Sequence, residues 1–179
     1  EPRIGGGPLI WFHAASVGES LSVLSLITRM GEMLPRAQFL ITSGTPTSAQ
    51  LVASRMPPNC THQFAPLDSH GPLKRFLGHW RPSAAVFVES ELWPQMLRMT
   101  KAQGATMALV NARLSQKSRA AWTKRPELAA YVLDVFDLIL TQNDEMAQAM
   151  VNMHAPPARV ARGINLKSMS DPLPKDPAI

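Results

Sequence analysis

Short apolar runs alternate with stretches of helical periodicity along most of this 179-residue chain. Residues 84–88 (AAVFV) are apolar at every position, which is typical of a strand covered on both faces. After Gly18, by contrast, apolar residues recur at helical spacing until Pro35 ends the pattern. Strands are predicted in this way at residues 8–15, 38–42, 61–65, 84–88, 106–110 and 138–141.

Helical segments separate these strands and decide the fold class. They are predicted from Gly18 to Pro35, at 48–56, around Leu73, Phe76, Leu77 and Trp80, up to Lys101 with Gly104 closing the helix, and at 127–136 and 144–153. Right-handed crossovers place helices over both faces of a parallel sheet. The sequence therefore predicts an α/β fold with a doubly wound, Rossmann-like parallel sheet over residues 1–163. Residues 164–179 lack periodicity and are predicted to be a truncated interdomain linker.

The unusual polar residues cluster where the predicted strands end. They follow the first, second, fourth and fifth strands: Ser16, Gly18, Glu19, Thr45, Thr47, Glu89, Glu91, Trp93, Asn111, Arg113, Ser115 and Ser118. Ligands of open parallel sheets bind beyond the carboxyl ends of the strands, so these loops predict one binding cleft without any metal. If the strand order is 3-2-1-4-5, Glu19 faces Glu89 and Glu91 across that cleft.

Facing carboxylates raise one another's pKa, which is what a general base working near neutral pH requires. Glu19 is therefore the candidate base. The spacing Ser16-x-x-Glu19 also matches a capping box at a helix start, and the two roles can coexist. Glu89 and Glu91 have a structural alternative that is equally well supported, because acidic side chains stabilise the N-terminus of a helix.

Two other candidates have structural alternatives. Trp93, which precedes Pro94, is either a platform for a sugar ring or a packing residue. Arg113 lies between Asn111 and Ser115, as in an anion-handling loop, although exposed arginines are often only solvated charges.

Charge and composition narrow the class of ligand. A net charge of +5 favours anionic partners such as nucleic acid, anionic lipid or a phosphorylated substrate. Aromatic residues make up only 6% of the chain and form no base-stacking motif, which disfavours nucleic acid. The single Cys60 excludes a disulfide framework and favours the cytoplasm, and the five histidines lack metal-ligand spacing.

Several familiar signatures are missing. The sequence has no G-x-G-x-x-G after its first strand, no P-loop and no G-x-S-x-G elbow, which disfavours a redox enzyme or an NTPase. No apolar run approaches the roughly 18 to 20 residues that span a bilayer, so this piece of chain is expected to be soluble.

Four motifs carry a resemblance to a known family. HAASVGES (13–20), TPTS (45–48), ESELWPQ (89–95) and NARLSQKS (111–118) resemble, in order and spacing, the N-terminal half of the 3-deoxy-D-manno-octulosonic acid (Kdo) transferases of Gram-negative lipopolysaccharide synthesis. The resemblance implies the acceptor domain of a GT-B glycosyltransferase, with a second domain for CMP-Kdo that this chain lacks. It also implies metal-free, inverting transfer of Kdo to the lipid A precursor (lipid IVA). The isolated fragment is therefore expected to be inactive.

The resemblance also assigns residues and a location. Glu19 becomes the catalytic base and Glu89 a second catalytic residue beside it, while Glu91, Arg113 and the other polar loop residues contact the acceptor. The full-length protein is expected at the cytoplasmic face of the inner membrane. Its basic surface would be attracted to anionic lipid, docking through the first helix (21–33) or around Trp122. Ordinary helix packing is the alternative for both segments.

The chain departs from the family pattern in two places. An extra Ile164 interrupts the family's G-N-L-K motif, and Ser43-Gly44 replaces more usual threonines. Two rival functions also remain: a non-enzymatic α/β module that binds an anionic lipid or a nucleotide, and a related two-domain enzyme such as a nucleotide-sugar epimerase.

Overall fold

The protein is described by a computed structural model that covers residues 6–163 and residue 166. Its centre is one parallel sheet with the strand order β3-β2-β1-β4-β5-β6-β7. The strands are β1 (Leu9–His13), β2 (Gln38–Ser43), β3 (Cys60–Phe64), β4 (Ala84–Val88), β5 (Thr106–Ala112), β6 (Leu138–Thr141) and β7 (Val160–Arg162). The helices are α1 (Val17–Met33), α2 (Pro46–Ser54), α3 (His70–Trp80), α4 (Pro94–Ala102), α5 (Gln116–Thr123), α6 (Pro126–Leu133) and α7 (Asp144–Asn152).

The predicted fold class and the predicted start of the strand order are confirmed. Strands β6 and β7 extend the sheet beyond the five strands of the 3-2-1-4-5 arrangement. Strand β7 was not predicted, because it has only three residues and two of them are exposed. Helix α5 was missed for a related reason, since none of its residues is buried and no apolar stripe marks it.

Some predicted boundaries were wrong by a few residues. The helix predicted at 127–136 begins at Pro126 and ends at Leu133. Strand β5 continues through Asn111 and Ala112, so Asn111 belongs to the strand and not to the loop that follows it. The predicted linker at 164–179 lies outside the described residues except for Leu166, which is partly buried against the core.

Neighbouring residues of β1 show how both faces of the sheet are covered. Trp11 and Phe12 are fully buried in two different apolar clusters, because successive strand side chains point to opposite faces. The cluster around Trp11 includes buried residues of α3, α4, α6 and α7. In the described part of the chain, the helices that contribute buried residues to the Phe12 cluster are α1 and α2. The sheet is therefore doubly wound, with helices packed on each face.

Candidate active site

The carboxyl edge of the sheet brings together the residues singled out in the sequence. The loops after β2, β1, β4 and β5 lie side by side, because these four strands are neighbours in the sheet. Four helices also begin at this edge with a side-chain cap, provided by Ser16, Thr45, Ser115 and Asn143. Each helix start carries partial positive charge from its aligned peptide dipoles. The edge is therefore suited to a ligand that carries negative charge.

Glu19 lies in the first turn of α1 and is only 7% exposed. Its backbone amide donates to Ser16 Oγ at 3.2 Å, and its carboxylate Oε2 accepts from the Ala15 amide at 2.9 Å. This arrangement confirms the Ser16 contact of the predicted capping box, whereas the carboxylate accepts from the Ala15 amide and not from that of the cap residue. Capping thus fixes the direction of the Glu19 side chain.

The surroundings of Glu19 act on its pKa in opposite directions. Burial raises the pKa of the carboxyl above its ordinary value, whereas the hydrogen bond from the Ala15 amide lowers it. The nearby charges of Glu91 and Glu89 raise it further, and the hydrogen bond with Ser16 lowers it slightly. The net shift is upward, so Glu19 is a stronger base than an exposed glutamate.

Ser16 gives a direct test of the cap. The substitution Ser16→Ala removes the oxygen that satisfies the Glu19 amide, so we expect a loss of about 1 kcal/mol in the free energy of unfolding. Denaturant titration measures this loss. The matched control is Ser25→Ala at an exposed position within the same helix, where alanine favours the helix. Equal stabilities of the two variants would show that the cap contributes nothing.

Glu91 is held by donors from two elements. His13 Nε2 lies 3.1 Å from Glu91 Oε2, and the Trp93 indole N–H donates to the same oxygen. Burial alone would raise the pKa of Glu91, but the hydrogen bonds from His13 and Trp93 outweigh burial and lower it. Glu91 therefore stays ionised close to a carboxyl whose pKa is raised.

Glu89 and Asn111 form a second polar pair beside Glu19. The Asn111 side-chain amide donates to Glu89 Oε1 at 3.3 Å, and both residues have positive φ angles, 57° and 53°. A left-handed conformation costs Glu89 roughly 1 to 2 kcal/mol, whereas asparagine adopts it more readily. Asn111 lies where the β5–β6 register shifts, and its buried Oδ1 has no hydrogen-bond partner in the structure. Strained backbone of this kind is typical of functional sites.

The remaining predicted residues lie at the same edge with varied roles. Trp93 is 47% exposed, so one surface of its indole remains open to a ligand. Arg113 is exposed, and its backbone amide donates to the Glu89 carbonyl at 3.4 Å, which ties two loops of the site together. Gly18 and Thr47 are also exposed.

Three predicted acceptor-binding hydroxyls have structural partners. Thr45 Oγ1 accepts from the Ser48 amide at 3.2 Å and caps α2. Ser115 Oγ accepts from the Ser118 amide at 3.1 Å and caps α5, and the two serine hydroxyls lie 3.0 Å apart. These residues shape the helix starts that face the site. Any contact between them and a substrate stays a prediction.

Two histidines near the carboxyl edge were not among the predicted site residues. His13, the last residue of β1, is 2% exposed and reaches both Glu91 and Thr42. His62 in β3 lies 2.9 Å from the hydroxyl of Ser43. A polar residue at the end of an otherwise apolar strand was the signal that could have identified His13. Within the described ranges, no three histidine, cysteine or acidic side chains group as a metal site.

Comparisons with known proteins agree with the motifs. The family model described as 3-deoxy-D-manno-octulosonic-acid transferase (kdotransferase) matches residues 1–170. The 3-deoxy-D-manno-octulosonic acid transferase of Rickettsia typhi is 40% identical over 136 residues, covering 76% of this chain and 29% of the relative. The enzyme of the same description from Chlamydia pneumoniae is 31% identical over 171 residues, covering 94% of this chain and 39% of the relative. The chain thus spans about a third of these relatives' length.

A solved structure supports the fold independently. UDP-N-acetylglucosamine 2-epimerase from Rickettsia bellii aligns over 92% of this chain and 47% of its own, with a TM-score of 0.62 and 9% identity. At that identity the likeness concerns the fold alone. The family model and the curated relatives carry the assignment further, because they cover most of this chain at the level of residues. The chain belongs to the 3-deoxy-D-manno-octulosonic acid transferase family.

Proposed function

We propose that this chain is the acceptor half of an inverting glycosyltransferase that moves Kdo from CMP-Kdo to lipid IVA, with Glu19 as the catalytic base. The observation that carries the proposal is the buried Glu19 carboxyl, whose raised pKa suits proton abstraction near neutral pH. Family membership supplies the class of reaction. The donor CMP-Kdo is bound mainly by residues beyond this chain.

The proposed reaction takes place at one hydroxyl group of the acceptor. A sugar hydroxyl of lipid IVA attacks the anomeric carbon of Kdo while Glu19 removes its proton, and CMP leaves with the electrons of the broken bond. Negative charge in Glu91 and Glu89 keeps Glu19 basic, and Trp93 offers an exposed ring against which a sugar can stack. Arg113 and the helix starts of the carboxyl edge attract the phosphates of the acceptor. These contacts need no metal ion.

A product assay tests the proposed substrates. The full-length protein is incubated with lipid IVA and with CMP-Kdo generated in place, and the lipid product is analysed by mass spectrometry. We expect an adduct heavier by one or more Kdo residues, dependent on both substrates. Formation of no adduct with a folded protein would overturn the proposal. The same preparation is assayed for epimerisation of UDP-N-acetylglucosamine, and such activity would favour the rival two-domain enzyme.

We also propose that the surface around α5 faces an anionic membrane in the full-length protein. Residues 113–125 contain five cations and no acid: Arg113, Lys117, Arg119, Lys124 and Arg125. Trp122, Ala121 and Leu128 line an apolar pocket of about 580 Å³ between these charges. Helix α1 is less suited to this role, because Val23, Leu24 and Ile27 are buried against the sheet and Met33 is its one exposed apolar side chain. In the described residues, no helix has the length and hydrophobicity that crossing a bilayer demands.

Sedimentation with liposomes tests the α5 surface. Replacing Lys117, Lys124 and Arg125 by serine removes three exposed charges, each worth roughly 1 kcal/mol of attraction to anionic lipid. We therefore expect binding of the 179-residue chain to phosphatidylglycerol-containing vesicles to weaken about a hundredfold. The matched control replaces Arg36, Arg55 and Lys74, which are exposed on other elements. Equal weakening by both triple variants would point to net charge and not to this surface.

A further inference from the structure

A line of buried hydrogen bonds leads from the core of the sheet to Glu91. The Trp11 indole N–H donates to Thr42 Oγ1 at 2.9 Å, and Thr42 Oγ1 lies 2.9 Å from His13 Nδ1. The other imidazole nitrogen, Nε2, lies 3.1 Å from Glu91 Oε2. Trp11 and Thr42 are fully buried, and His13 is 2% exposed.

The direction of these bonds follows from the donors available. An indole nitrogen only donates, so Thr42 Oγ1 accepts from Trp11 and directs its own hydrogen elsewhere. Thr42 Oγ1 lies 2.9 Å from His13 Nδ1 and donates to the Phe12 carbonyl at 3.5 Å. An ionised carboxylate only accepts, so the Nε2–H of His13 donates to Glu91. Each group in the line thus fixes the orientation of the next.

The imidazole ring is also held by packing. The centroid of its ring lies 5.7 Å from that of Phe87 in an edge-on arrangement and 6.3 Å from that of Trp11. A buried polar pair of this kind is rarely a gain in stability over apolar residues of similar size. A histidine packed against two aromatic rings instead suits the task of holding a carboxylate in one place.

We propose that His13 is a positioning residue of the transfer reaction, which holds Glu91 as a fixed carboxylate beside Glu19 and thereby strengthens Glu19 as a base. The proposal rests on the proposed function, because it takes Glu19 as the base. Glu91 is the ionisable group that the structure places against His13. Among the residues that the structure describes, Glu91 and Glu89 are the charged groups that raise the pKa of Glu19.

The electrostatics agree with this geometry. Burial works to raise the pKa of Glu91, yet its hydrogen bonds with His13 and Trp93 bring the pKa below the ordinary value. The resulting negative charge raises the pKa of Glu19, in addition to the larger effect of burial. Loss of the His13 donor would let burial raise the pKa of Glu91. A protonated Glu91 would no longer raise the pKa of Glu19.

Two substitutions at His13 distinguish the contact of its Nδ1 from that of its Nε2. In His13→Asn the side chain can still meet Thr42 but is too short to reach Glu91. In His13→Gln an amide N–H lies near the former Nε2 position, so the donor to Glu91 is kept. The readout is the acid limb of the pH dependence of kcat/KM for the full-length enzyme, which reports ionisation of its essential base. A merely structural role would change the rate without moving this limb.

We expect His13→Asn to move the acid limb to lower pH by roughly 0.5 to 2 units, the range of coupling between neighbouring groups. Glu91→Gln should move it in the same direction, and His13→Gln should leave it closer to the wild-type position. In the double variant His13→Asn/Glu91→Gln, the shift should not exceed that of Glu91→Gln alone. This last result is expected because His13 acts through Glu91.

Three outcomes would overturn the proposal: an acid limb that His13→Asn leaves in place, one that both His13 variants move equally, and shifts that add in the double variant. Glu91→Gln is measured in parallel. If one His13 variant does not fold, the acid limb of the remaining His13 variant is compared with that of Glu91→Gln. Failure of the proposed function appears separately, as an active Glu19→Gln enzyme or as absence of the Kdo product.

Discussion

Replacing Glu19 by glutamine is expected to lower the rate of Kdo transfer by the full-length enzyme about 10²- to 10⁴-fold, the usual contribution of general-base catalysis. Glutamine keeps an oxygen that can accept from the Ala15 amide, so the start of α1 should remain formed. It cannot accept a proton from the attacking hydroxyl. The expected change is therefore in kcat, without a loss in the free energy of unfolding.

Glu32 provides the control for this substitution. It lies near the end of the same helix, its side chain is 57% exposed, and it pairs with Arg29 at 2.7 Å. Glu32→Gln removes one negative charge from α1 as Glu19→Gln does, but far from the carboxyl edge of the sheet. We expect it to keep the wild-type rate. If folded Glu19→Gln enzyme retains more than a tenth of the wild-type rate, Glu19 is not the base.

Among the substitutions proposed for this protein, Phe87→Ala should cause the largest loss in the free energy of unfolding. This residue of β4 is fully buried, and its ring packs against Trp11 at 5.3 Å and Phe136 at 6.3 Å between centroids. Phe87→Ala leaves a cavity where three aromatic rings meet, so we expect a loss of about 3 to 5 kcal/mol in the free energy of unfolding. Denaturant unfolding followed by circular dichroism measures it.

A conservative change at the same position serves as the comparison. Phe87→Leu keeps most of the buried volume and should cost at most about 1.5 kcal/mol. The ring of Phe87 also lies 5.7 Å from that of His13, so the alanine variant should loosen the imidazole as well. A loss of under 1 kcal/mol for Phe87→Ala would mean that the aromatic cluster does not hold the sheet as described.

Much of the fold could be predicted because it depends on short-range patterns. The apolar run of β4 and the helical periodicity of α1 each indicate their own structure, and the rules for parallel sheets then fix their arrangement. The capping contacts of Ser16 and Glu19 were also predictable, because three residues of spacing set their geometry. These features place one acidic side chain at the correct edge of the sheet.

The features of the site that were not predicted from the sequence depend on contacts between distant segments. His13 and Glu91 are 78 positions apart, and their hydrogen bond exists only because β1 pairs with β4 in one register. The left-handed backbone of Asn111 coincides with an irregular pairing of β5 with β6, and this pairing joins segments that are distant in the sequence. Sequence reasoning therefore identified the acidic residues of the cleft but not the group that holds one of them.

The pH behaviour of Glu19 follows from the direction of its pKa shift. Because the folded state raises this pKa, protonated Glu19 is favoured in the folded protein over the unfolded chain. Stability contributed by Glu19 is present at low pH and is lost as pH rises through the raised pKa. Activity changes in the opposite sense, because the base form accumulates only above that pKa. Above the raised pKa, ionised Glu19 can accept a proton, but it lowers the stability of the folded protein.

Titration of the Glu19 carboxyl by carbon-13 NMR tests the central claim most directly. The full-length protein is labelled at its glutamate side-chain carbons, and the signal absent from Glu19→Gln identifies the residue. We predict a midpoint above the ordinary glutamate value of about 4.3, as burial beside Glu91 and Glu89 requires. A midpoint at or below that value would contradict the assignment of Glu19 as a base with a raised pKa.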